Sequence, residues 1–129
     1  MSMSASDFFR AKLRCEIDVM EVVSPTTVHG TVHGPGFAGV GLGVGSPHDA
    51  GVVLSDDFHV YGVRWEPDRI TWLLDDRSYF SVTRSELSAW PFDHSFYLLI
   101  NLAVGGRWAS GEPSLPATML VDWVRVTEL

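Results

Sequence analysis

The sequence predicts an all-β protein, an antiparallel β-sandwich, and three observations carry that prediction. Short runs rich in Val, Ile, Thr, Phe, Tyr and Trp alternate in polarity with the period of a strand. Turn residues punctuate them at the spacing of about seven or eight short strands. No stretch shows the apolar period of an amphipathic helix, and no internal repeat is present.

Size and composition narrow the function classes. The 129 residues fit one domain, and 46% hydrophobic content can fill a core. Nine basic and sixteen acidic residues leave a formal charge of −7, which disfavours nucleic acid as a partner and leaves a neutral, hydroxyl-rich substrate compatible. The single cysteine, Cys15, has no internal disulfide partner and reads as a small buried side chain. No apolar run reaches the roughly 18 residues of a membrane-spanning helix, so no membrane partner is expected. Residues Met1 to Phe9 lack the apolar core of a signal peptide.

Along the chain, residues 1–14 read as a flexible or connecting segment, Ser-rich and then basic. The run Cys15-Glu16-Ile17-Asp18-Val19-Met20-Glu21-Val22-Val23 follows, with three carboxylates set among β-branched residues. Strand alternation places Glu16 and Asp18 on one face and Ile17 and Val19 on the other. Glu21 has the wrong parity to join them unless the strand carries one extra residue, a β-bulge around Met20. Ser24-Pro25-Thr26 ends the strand as a turn.

The next run alternates cleanly, with Thr27, His29, Thr31 and His33 on one face and Val28, Gly30 and Val32 on the other. Pairing with the preceding strand would bring His29 and His33 to the carboxylate side. Residues 34–51 are dominated by Gly and small residues and read as a long loop holding one short strand at Val40 to Val44. A hairpin is expected from Phe58–Trp65 and Ile70–Leu74 around the turn Glu66-Pro67-Asp68-Arg69. Asp75-Asp76-Arg77-Ser78 is the next tight turn, Tyr79–Val82 the next strand, and Ser85 to Trp90 a short helical turn. Phe96–Val104 is nearly all apolar, as a strand covered on both faces would be. Met119–Val126 alternates and closes the chain as a strand.

The chemistry available to the trio is glycoside hydrolysis. Two carboxyls about 5 Å apart suffice, one as nucleophile and the other as acid and then base, with retention of configuration. On that mechanism Glu16 attacks the anomeric carbon and Glu21 protonates the leaving oxygen. Asp18 holds a hydrogen bond to Glu16 or shares a proton with it, and repulsion within the trio is expected to keep Glu21 protonated near neutral pH.

The bland reading of the trio is a strand edge with solvated carboxylates. His29 and His33 could equally pack on a half-buried sheet face, and two His four apart on a strand make a poor zinc signal without a third ligand. His48, His59 and His94 read as structural or exposed. Trp65, Trp72, Trp90 and Trp123 read as core. Trp108 differs, because its Gly-rich surroundings offer nothing to bury it. No phosphate-loop pattern accompanies the glycines of 34–45, which excludes a nucleotide loop there.

Glu16-Ile17-Asp18-Val19-Met20-Glu21 resembles the signature of glycoside hydrolase family 16, in the bulged form of its laminarinase-like (endo-β-1,3-glucanase) branch. The likeness continues in order through Val28–Gly36, Asp57–Tyr61, Trp65–Asp68, Leu99–Gly106 and Val121–Val126. It implies a concanavalin-like jelly roll whose concave face binds and cleaves β-1,3-glucan with retention. By the same resemblance Glu16 is the nucleophile, Asp18 its assistant and Glu21 the acid/base, while His33 and Asn101 line the cleft and Trp108 lies on a cleft-edge loop. Catalysis in the family needs no cofactor; many members bind a structural calcium ion through an Asp at the position of Asp122. An extracellular location is expected from the resemblance.

Family domains are nearly twice as long, so the likeness from Cys15 onward, residues 15–129, implies the C-terminal half of such a domain, truncated on its N-terminal side. Arg10-Ala11-Lys12-Leu13-Arg14 stands where the family has a Trp-Pro approach, and Gly105-Gly106-Arg107-Trp108-Ala109 where it has Gly-Gly-Asn-Trp-Pro. A non-catalytic carbohydrate-binding jelly roll, or an inactive fragment, is the alternative reading.

Overall fold

The structure, a computed structural model, describes residues 15–35, 43–105, 108 and 115–128. They fall into two units, one ending at His94 and the other beginning at Ser95. The connecting segment expected at 1–14 lies outside the described residues.

The first unit holds two three-stranded antiparallel sheets. One has the order β1 (Glu16–Val22), β2 (Thr27–His33), β3 (Gly43–Asp49); the other has β4 (Tyr61–Glu66), β5 (Arg69–Leu74), β6 (Arg77–Thr83). Every pairing joins strands adjacent in sequence. Alternation decides which side chains each sheet turns inward. Val28 and Val32 of β2 are fully buried, as are Ile70 and Trp72 of β5, with Val82 of β6 and Phe92 nearly so. Burial of each such aliphatic side chain contributes roughly 1.5–3 kcal/mol. The Trp72 ring also packs on Phe80 at 4.9 Å between centroids. This is the face-to-face packing of a sandwich, with the opposite face of β2 left for polar side chains.

Turn chemistry accounts for the connections. Asp75 and Asp76 both have positive φ, 49° and 64°, as a two-residue turn between tightly paired strands requires. Asp75 is held there because its carboxylate accepts the Val60 N–H at 2.9 Å and meets His59 Nδ1 at 2.8 Å. That bond also explains why β4 starts at Tyr61 rather than at Phe58 as expected: the Val60 amide is engaged by a side chain instead of a ladder. The bend at Ser24–Thr26 forms as expected, and its carbonyls anchor the next segment, Pro25 accepting from Leu54 N–H and Thr26 from Ala50 N–H at 2.8 Å each. The helical turn expected between Ser85 and Trp90 is a single 3-10 turn, Arg84–Glu86, whose Glu86 accepts from the Thr83 N–H.

Two expectations are corrected. The stretch read as a long loop contains a full strand, β3, paired with β2 from Thr27↔Asp49 to His33↔Gly43. Its small residues permit the pairing, since a Cβ on Gly45 would lie 2.6 Å from the Gly30 carbonyl. Pro47 is tolerated because β3 is the outer strand of its sheet. Residues 36–42, including part of the expected Val40–Val44 strand, lie outside the described residues.

The second correction concerns the last two predicted strands. Phe96–Val104 and Met119–Val126 carry no regular secondary structure, and apart from the half-buried Phe96 and Met119 their apolar side chains are exposed, Tyr97 to 82% and Val126 to 91%. A strand exists only as a member of a ladder, and among the described residues neither run has a neighbour to pair with. Trp123, expected in the core, is exposed with the Arg125 guanidinium over its ring, and Trp65 is also exposed. Trp72 is buried as expected, Trp90 half-buried, and Cys15 half-buried.

Replacing Ile70 by Ala should therefore cost about 2–5 kcal/mol, the range for emptying a closed core site. Val126→Ala should stay within about 0.5 kcal/mol, as exposed substitutions do. Denaturant titration of the two variants measures both values.

Candidate active site

The site is built on the β1–β2 hairpin. Glu16 pairs with His33, Ile17 with Val32 and Asp18 with Thr31, but the next pair is Glu21 with His29. Two residues, Val19 and Met20, thus oppose the single residue Gly30. This is the bulge expected at Met20, and its effect is the expected one: the register places Glu16, Asp18 and Glu21 beside His33, Thr31 and His29, the polar face of β2. Ile17 and Val22 turn the other way, beside the buried Val32 and Val28.

Each carboxylate has a distinct setting. Asp18 has 15% side-chain exposure, and its Oδ2 lies 3.1 Å from His33 Nε2. Burial, then the charges of Glu21 and Glu16, push its carboxyl up to about 8, and a side-chain hydrogen bond with Glu16 favours the protonated form further. Asp18 therefore holds a proton at neutral pH and places it against Glu16. Glu21 accepts a hydrogen bond from Thr31 Oγ1 at 3.2 Å. Glu16 is the most exposed of the three.

The structure brings together Glu16, Asp18, Glu21 and His33, with His29 opposite Glu21. Asn101, Trp108 and Asp122 belong to the second unit, where all three are exposed, Trp108 to 52%. Arg107 and Ala109, on either side of Trp108, lie outside the described residues. As a calcium site Asp122 does not suffice alone: a hard cation takes 6–8 oxygens, and among the described residues no three His, Cys, Asp or Glu side chains gather to hold an ion.

Two contacts at the site escape sequence reasoning. Thr31 was assigned to the correct face, but nothing in the alternation singles out its hydroxyl as the partner of Glu21. Trp72, read as core, also donates its indole N–H to the Asp18 backbone carbonyl at 2.8 Å.

A β-sandwich carrying a carboxylate trio on a bulged strand is the class of protein that this fold and site define. The profile described as Glycosyl hydrolases family 16 matches residues 2–125, and the chain belongs to that family. It is 36% identical over 127 residues to a β-glucanase of Rhodothermus marinus, covering 86% of this chain and 43% of that one. It is 39% identical over 127 residues to the glucan endo-1,3-beta-glucosidase A1 of Niallia circulans, covering 86% and 19%. Among solved structures, the laminarinase catalytic domain of Thermotoga maritima superposes with a TM-score of 0.70 at 39% identity, covering 78% of this chain and 43% of that one. The endo-β-1,3-glucanase of Pyrococcus furiosus gives 0.70 at 42%, covering 79% and 41%. The chain spans less than half the length of each of these proteins.

The raised Asp18 carboxyl makes stability depend on pH in a defined direction. Between the ordinary value of 3.8 and about 8, the folded state binds a proton at Asp18 that the unfolded chain does not, so this group's contribution is fully present below that window and is lost as pH rises through it. Asp18→Asn removes the dependence. Its melting temperature should gain on that of the wild type steadily from pH 4 to pH 8, which thermal melts across that range will measure.

Proposed function

We propose that this chain carries the catalytic centre of a retaining β-1,3-glucan hydrolase. The observation that carries the reading is the bulge in β1, which collects Glu16, Asp18 and Glu21 on one polar face. The names of the relatives, glucanases and laminarinases, supply the substrate class.

In the proposed reaction Glu16 attacks the anomeric carbon while Glu21 gives a proton to the departing glycosidic oxygen. The product of that step is a glycosyl ester on Glu16. Glu21 then takes a proton from water, which attacks the anomeric carbon, breaks its bond to the Glu16 carboxylate and releases the sugar with its configuration retained. The proton that Asp18 shares with Glu16 changes its balance along this path: it stabilises the carboxylate as leaving group when the ester breaks. His33 holds Asp18 in place, and Thr31 orients Glu21. Asn101 and Trp108 are proposed to contact the glucan, the indole as a stacking surface for a sugar ring.

The polymeric substrate is met outside the cell, so we place the activity there. No helix among the described residues is long and apolar enough to cross a membrane.

Purified protein incubated with laminarin should release oligosaccharides whose new reducing ends first appear as the β-anomer by proton NMR. Glu16→Gln should lower turnover about 10⁴-fold or more, as removal of a covalent nucleophile does. Undiminished turnover in that variant would sink the assignment. Laminarin binding by calorimetry without release of reducing ends would favour the non-catalytic, glucan-binding reading instead.

A further inference from the structure

We infer that Trp72 is a positioning residue for the carboxylate trio: its indole N–H reaches from the opposite sheet, through space that only Gly30 leaves open, and fixes the bulge that aligns Glu21 with Glu16 and Asp18. The inference rests on the proposed function for its catalytic consequence and on the fold alone for its geometry.

Three observations on three different strands converge. On β5, Trp72 is fully buried and donates its N–H to the carbonyl of Asp18, 54 residues earlier in the chain, at 2.8 Å. On β1, Asp18 is the last residue in register before the bulge. On β2, Gly30 is the residue that the bulge faces, and a Cβ there would stand 2.4 Å from Trp72 Cδ1 and 2.8 Å from Nε1. The indole therefore occupies the inner side of the hairpin at the step where two residues oppose one.

The physical case follows from what a bulge does to a ladder. Regular pairing is interrupted there, so backbone groups at the bulge need other partners, and the extra residue is free to migrate unless something pins it. A slip by one residue would send each later side chain of β1 to the other face and carry Glu21 into the core. A buried N–H whose position is set by ring packing on Phe80 is a rigid peg for one carbonyl. The bond fixes where the irregularity sits.

The groups facing Asp18 are Glu16, Glu21 and His33, with His29 across from Glu21. Release of the peg loosens this arrangement: water reaches Asp18 and Glu21 moves away, removing the causes that raise its carboxyl. The titration midpoint of Asp18 is therefore a sensor of the bulge that is independent of glucan turnover.

The test uses the full 129-residue chain, with carbon-13-labelled Asp and nitrogen-15-labelled Trp. In the wild type, the Trp72 indole proton should exchange as slowly as the amides of the β1–β2 ladder; exchange at the rate of an exposed indole would overturn the inference without any variant. Trp72→Phe keeps an aromatic ring in the core but has no N–H. It should shift the Asp18 midpoint down by about one pH unit or more, while Val82→Ala, which loosens the core on the neighbouring strand and keeps both the indole and its packing on Phe80, should leave that midpoint in place. Equal shifts in the two variants, or none in a folded Trp72→Phe, would overturn the inference. If laminarin turnover is present, Trp72→Phe should lower kcat more than it raises KM. Absence of turnover in the wild type counts against the proposed function alone, because exchange and titration are read without substrate.

Discussion

Val19 and Met20 share one partner, Gly30, and that unmatched residue decides which face of the sandwich Glu21 occupies. Without it Glu21 would point with Ile17 toward Val28 and Val32, where an ionised carboxylate would lose its hydration with no partner to replace it. With it, Ile17 before the irregularity and Val22 after it pair with the buried Val32 and Val28 on the side away from the carboxylates. The hydrophobic pattern thus enforces the bulge as much as the carboxylates use it. A strand that alternates in one phase up to Asp18 and in the other from Glu21 can keep its three carboxylates on one face in no other register.

The concentration of charge that results has an electrostatic cost, and the structure shows where it falls. Three carboxylates on one hairpin face cannot all ionise cheaply. Asp18, half-buried and flanked by the other two, has its carboxyl pushed up to about 8 by burial and by their charges. Retention of its proton converts a repulsive neighbour into a hydrogen-bond donor for Glu16. Glu16 is the more exposed partner of that bond, and Glu21 is tied to Thr31. Division of labour among identical functional groups thus follows from position.

Much of this was legible in the sequence because period-two patterning is a local signal. The parity break between Asp18 and Glu21 announces the bulge, and the alternation of Thr27–His33 announces a strand with one polar face. What was not legible depends on contacts distant in sequence or on the absence of side chains. The indole of Trp72 reaches Asp18 from another sheet, and nothing in Ile70-Thr71-Trp72-Leu73-Leu74 distinguishes a bonded Trp from a merely buried one. The sequence shows only a short strand at Val40 to Val44 where β3 runs from Gly43 to Asp49, because Gly and Ser lack β propensity. The pairing of β3 depends on the small residues at Gly30 and Gly45 that let two backbones and an indole share the same space.

The same distinction explains why the apolar runs 96–104 and 119–126 fail to form strands although their patterns are as strong as that of β2. Each of the six strands among the described residues pairs with a neighbour in sequence, so its ladder is reached with little loss of chain entropy. Neither run has such a hairpin partner among the described residues. Apolar composition drives burial but does not supply ladder hydrogen bonds, and a backbone that leaves water must find them. Propensity therefore marks these runs as strands, while the decision to form one belongs to whatever lies alongside. The acidic strand β1 escapes that dependence because its bulge, its turn and its partner β2 all lie between Glu16 and His33, and only the peg from Trp72 comes from further along the chain.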